Sequence, residues 1–106
     1  MRTMPLNLIE KACEYTRQVR EEFKQKAEGI IEPLTPKARY AHEYLFTREC
    51  INIGCRKAVK LLPKGWKRSV AYSILMMALL DIFHYGKKDE VVNVYNKLLQ
   101  DIIGDY

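Results

Sequence analysis

Chemistry in this chain would have to come from two histidines, three cysteines and the acids and bases placed near them. Arg39 and His42 lie one helical turn apart, a pair that could hold a phosphate and move a proton, but only adjacency joins them. Asp81-x-x-His84 places two potential metal ligands on one helix face. A dinuclear carboxylate bundle needs two Glu-x-x-His pairs and two further Glu, and a single chain here offers one Asp-x-x-His. Cys13, Cys50 and Cys55 are an odd number with no Cys-x-x-Cys, which argues against a zinc site, a redox dithiol and a secreted disulfide scaffold. Cys50 and Cys55 fall about 140° apart on a helix and cannot bridge there, while a bridge from Cys13 to either of them stays open. No glycine-rich phosphate loop, nucleophile elbow or His-Glu-x-x-His occurs. The expectation is a protein without catalytic residues, metal or cofactor.

Charge is the stronger signal. The chain nets +5, yet residues 50–80 hold Arg56, Lys57, Lys60, Lys64, Lys67 and Arg68 with no acid at all. Arg56 with Lys60 and Lys60 with Lys64 repeat like charge at helical spacing, which costs a few tenths of a kcal/mol per pair. Lys57 and Lys60 recover part of this near a helix C-terminus, where cations suit the dipole. Lys67 and Arg68 fall at a helix start, where anions are preferred. Unpaired backbone N–H groups, Lys64, Lys67, Arg68 and Ser69 together suit a phosphate, and Trp66, the single tryptophan, could stack on a base. The competing reading is a solvated corner, its bases paired to Glu43, Glu49 or Asp81 and Trp66 sealing the bundle end.

Two helices joined by Leu62-Pro63-Lys64-Gly65 invite comparison with a helix-turn-helix, whose second helix must offer a polar face to the major groove. Here that helix is the most apolar of the chain, and beyond Ser69 it offers mainly Tyr72 and Ser73. Sequence-specific readout is therefore not expected. Phosphate contact with little sequence preference is.

The elements that must position these residues are helical, because apolar residues recur at steps of three and four and no alternating run suggests a strand. The first helix should start near Pro5 and end at about Glu28, with Ile9, Cys13, Thr16, Val19, Phe23 and Ala27 along its stripe. A loop with two prolines leads to Thr35-Pro36, a cap followed by proline at the first helical position. The second helix is expected to reach about Leu62, with Ala41, Leu45, Cys55, Val59 and Leu62 inward and Tyr44, Ile51 and Ala58 beside them. Gly54 inside it marks close packing or a bend. The third runs from about Trp66 to Tyr85, apolar around most of its surface, and the fourth from about Asp89 to Ile103.

The 106 residues fit one domain, 1–106, and at 48% hydrophobic and 29% charged they can bury a core. The expected architecture is all-α, a compact four-helix bundle with antiparallel neighbours and a strongly apolar third helix. Leu79-Leu80, Leu98-Leu99 and Ile102-Ile103 widen the apolar stripes beyond one face, which favours a homodimer. No run approaches the about 20 apolar residues of a membrane span and no secretory signal is read, so the expected compartment is the cytoplasm. The functional expectation is non-catalytic binding of nucleic acid, DNA or RNA, or of a nucleoprotein complex, through Arg56, Lys57, Lys60, Lys64, Trp66, Lys67, Arg68 and Ser69. The alternative is a structural or adaptor subunit acting through its third and fourth helices.

Overall fold

A computed structural model of the chain describes residues 7–27, 36–62 and 67–103. Four helices make up the fold: α1 (Leu8–Ala27), α2 (Pro36–Val59), α3 (Arg68–Tyr85) and α4 (Lys88–Ile103). Together they form an all-α four-helix bundle, and no strand occurs among the described residues.

Three helix ends differ from the periodicity-based bounds, each for a local reason. α1 begins at Leu8 rather than near Pro5, because Asn7 Oδ1 accepts the Glu10 backbone N–H at 3.1 Å and so caps the helix. α2 stops at Val59 rather than Leu62, because the chain tightens there. Leu61 N–H donates to Ala58 O and Leu62 N–H to Val59 O, both three residues back instead of four. α3 starts at Arg68, two residues later than Trp66, with Lys67 at its cap position and no side-chain capping bond. Gly86 closes α3 at φ 69°, and its N–H donates to Ile82 O at 3.0 Å. A residue with a Cβ rarely adopts that conformation.

Neighbours in sequence run antiparallel. Gly54 of α2 lies against Thr16 of α1, and Phe46 packs its ring on Phe23 two turns further along. The Tyr72 hydroxyl donates to Asn52 Oδ1, while His84 stacks on Tyr44, which sets α3 against α2 in the reverse sense. Tyr95 donates to Asp81 Oδ2 at 3.3 Å between α3 and α4. Lys88 reaches Glu10 at 3.7 Å, so the first turns of α1 and α4 are neighbours. In an aligned bundle the 18-residue α3 would carry the start of α4 about 27 Å from the start of α1, so the helices are inclined to one another. α2 and α4 share no contact among the described residues.

The core gathers Ile9, Cys13, Ile51, Cys55, Leu75, Leu79 and Leu99, all fully buried. Ile51 and Ala58, expected only to flank it, are fully enclosed, whereas Leu45 is 62% exposed and Ala41 is exposed. The correction at Leu45 has a simple origin: Tyr44 and Phe46 on either side of it meet α3 and α1, which leaves Leu45 on the outer face between them. The molecule measures 53 × 25 × 18 Å, its length fitting a 24-residue α2 of about 36 Å. Thr16 is buried but satisfied, its hydroxyl donating to Ala12 O at 2.7 Å. None of the described helices is long and apolar enough to cross a membrane.

The three thiols are free and buried. Burial pushes each of them up from the ordinary value of 9.0, and Cys55, with Cys13 as its neighbour, is raised to about 12. They are therefore protonated and inert at neutral pH, since the thiolate is the nucleophile. Alkylation at pH 8 is expected to leave all three unmodified in the folded protein and to modify all three in denaturant, read by intact mass. A raised thiol pKa stabilises the fold fully below the unfolded value near 9 and loses that contribution as pH climbs toward 12. The urea midpoint should accordingly fall between pH 9 and pH 11.

Candidate nucleic-acid interface

The end of α2 and the start of α3 bring together most of the residues expected to bind phosphate. Arg56, Lys57 and Lys60 stand exposed on the last turns of α2 and the residue beyond it, with Arg56 and Lys60 one turn apart on the same side. Lys67 and Ser69 are exposed at the start of α3. The bond between Tyr72 and Asn52 sets the register. One turn onward in α2 and one turn back in α3, Arg56 comes level with Arg68 and Ser69. Lys64 and Trp66, assigned to the same corner, lie outside the described residues.

Arg68 departs from its expected role. Instead of standing free for a ligand it is half buried, and its Nη2 donates to the Leu62 carbonyl at 2.6 Å. Its Nε is buried with no partner. The guanidinium thus ties the start of α3 to the end of α2, where carbonyls at a helix C-terminus attract cations. Arginine-to-alanine exchange at this position removes a charge-assisted bond but also relieves the unpartnered Nε. We therefore expect a loss of about 1 to 2 kcal/mol in thermal or urea melts.

The ion pairs foreseen for a merely solvated corner are not formed among the described residues. Among the described residues the ion pairs are Lys11 with Glu14 at 3.4 Å and Lys88 with Glu10 at 3.7 Å. Arg56, Lys57, Lys60 and Lys67 have no carboxylate within 4.0 Å there. Asp81 accepts instead from Tyr95, whose hydroxyl is pushed up by burial and by the Asp81 charge. At the start of α3 Ala71 N–H is bonded to Lys67 O, and Lys67 makes no side-chain capping bond.

The other constellations come apart. Asp81 is engaged with Tyr95 and His84 with Tyr44, and no three potential ligands converge among the described residues. His42 is exposed on the first turns of α2. Sequence reasoning missed the stacked pair of Tyr44 and His84, whose centroids lie 4.5 Å apart at 22°. No periodicity signals a contact between residues 40 positions apart. Compared with known protein families, with curated proteins and with solved structures, the chain matches none.

Proposed function

We propose that this protein binds nucleic acid without catalysis, neutralising phosphates with the basic corner at the α2–α3 junction. The observation that carries this reading is that four exposed cations, Arg56, Lys57 and Lys60 at the end of α2 and Lys67 at the start of α3, have no carboxylate partner among the described residues. Like charges gathered on a stable protein cost free energy, and a polyanion removes that cost. Lys64, Trp66 and Ser69 belong to the same proposed surface, while Arg68 chiefly holds its two helices together. DNA and RNA both present the required phosphates, and the apolar α3 is unsuited to reading bases in a major groove.

The test is a salt titration of binding to short duplex and single-stranded DNA and RNA, followed by Trp66 fluorescence. Six phosphate contacts correspond to a slope of log K on log salt near −5 for duplex and near −4 for a single strand. Absence of binding at low salt overturns the reading.

A second reading rests on α4. Val94 is 64% exposed, and Leu98 and Ile102 follow it at four-residue steps, both exposed. This stripe suits an adaptor role or a homodimer, with the bases serving solubility. Sedimentation of the wild type and of Val94→Glu tests this stripe: mass that rises with concentration in the wild type and not in the variant puts self-association on α4.

A further inference from the structure

The basic corner continues into an aromatic end along one ridge of α2 that winds gradually around the helix. Tyr44, Arg48, Asn52, Arg56 and Lys60 follow one another at four-residue steps, each about 6 Å from the next. Two members of this row face α3, for Tyr44 stacks on His84 and Asn52 accepts the Tyr72 hydroxyl. The row meets α3 from Tyr44 to Asn52, over about 12 Å, and, turning about 40° around α2 at each step, continues beyond that contact to Arg56 and Lys60. Arg48, Arg56 and Lys60 are exposed along it and pair with no carboxylate among the described residues. From Arg68 to Leu80 α3 carries no acid, and its outward positions Ser69, Ser73 and Met77 are uncharged. Glu43 and Glu49 each adjoin the row in sequence, and Glu49 lies about 60° around α2 from Asn52, with no base paired to either acid among the described residues. At the far end Tyr44 is 38% exposed, and the neighbouring Tyr85 is 73% exposed.

We propose that this row on α2 is a track for a single strand, with phosphates on Lys60, Arg56 and Arg48 and an unpaired base stacked on the Tyr44–His84 pair. The proposal rests on the nucleic-acid reading above and adds the kind of strand. Duplex bases are already stacked on one another, so an aromatic side chain at a protein surface meets sugar and phosphate only. An unpaired strand offers both a chain of charges and free base faces, the combination of a charged groove and stacking side chains that sequence-tolerant single-strand binding uses. A row of cations ending in an exposed aromatic stack has that composition.

The experiment compares oligothymidylate and oligouridylate of about ten nucleotides with a duplex of equal length, a size within the range such sites cover. Wild type, Tyr44→Leu, Tyr44→Phe and the pair Arg56→Gln/Lys60→Gln are measured side by side. Tyr44→Leu keeps an apolar seat for His84 and is expected to weaken single-strand binding roughly tenfold or more while leaving the salt slope unchanged. Duplex binding should not respond, and Tyr44→Phe should bind as wild type does. The arginine–lysine pair is expected to flatten the slope on every ligand. Should Tyr44→Leu unfold, the Tyr44 ring protons of the wild type report instead, moving upfield on oligothymidylate and staying still on duplex. Binding in which Tyr44→Leu equals wild type, or in which duplex and single strand lose affinity alike, overturns the single-strand track and leaves the basic corner standing. Wild type that binds neither ligand overturns both.

Discussion

Gly54→Ala should be the most damaging single substitution in this chain, with an expected loss of about 3 kcal/mol in urea melts. In an isolated helix the same exchange is favourable by about 1 kcal/mol, because glycine carries the larger entropic cost. Here the added Cβ would meet Thr16 Oγ1 and would lie 2.8 Å from the Thr16 backbone nitrogen and 2.9 Å from its Cα. A rotating side chain could move aside, but backbone cannot, so α1 and α2 must separate. Those two helices share the enclosed residues Ile9, Cys13, Ile51 and Cys55, and separating them loosens the core as a whole. A second change discriminates packing from mere crowding. Thr16→Ala in the Gly54→Ala background removes the clashing hydroxyl while the contacts to backbone remain, and is expected to restore less than half of the loss. Full recovery would show that the hydroxyl alone set the helix separation.

Replacing Arg56, Lys60 and Lys67 together by glutamine is expected to abolish most nucleic-acid affinity while leaving the fold intact. All three are exposed, and none contributes to the buried core or to an ion pair among the described residues. Each lost phosphate contact flattens the slope of log K on log salt by about 0.9 on duplex and 0.7 on single strands, so three amount to roughly 2 to 3. At about 0.1 M salt this corresponds to roughly two orders of magnitude in affinity, from counterion release alone. Circular dichroism should give an unchanged helical spectrum, and the melting temperature should hold or rise, because mutual repulsion is relieved. Unaltered binding by this variant would place the ligand elsewhere on the molecule.

Much of this architecture could be read before any coordinates, and the reasons are local. The stripe of Ile9, Cys13, Thr16 and Val19 shows its face through three- and four-residue spacing, and all four are buried. Pro36 and Gly86 mark helix ends through backbone restrictions that act within a turn, and both hold. Leu45 reads as inward from spacing alone, yet Tyr44 and Phe46 on either side of it meet α3 and α1 and leave it on the outer face. Arg68 was misplaced for a related reason, since a basic residue at a helix start looks alike in sequence whether it turns to solvent or back to a carbonyl six residues earlier. The stack of Tyr44 on His84 depends on the angle at which α3 meets α2, which side-chain packing across the whole bundle determines.

That α2 and α4 do not touch has a consequence for how the molecule breathes. Among the described residues α4 rests on α1 and α3, and of its described side chains Val91 and Leu99 are the deeply enclosed ones. A helix held by so few apolar anchors detaches at lower free energy than the whole chain unfolds, so its amide protons should trade with solvent ahead of those in α1 and α2. Such an opening leaves the seam between α2 and α3 assembled. A partner seated on α4 and a strand seated on the α2 row can therefore come and go independently, and two ligands could be carried at once without either having to displace the other.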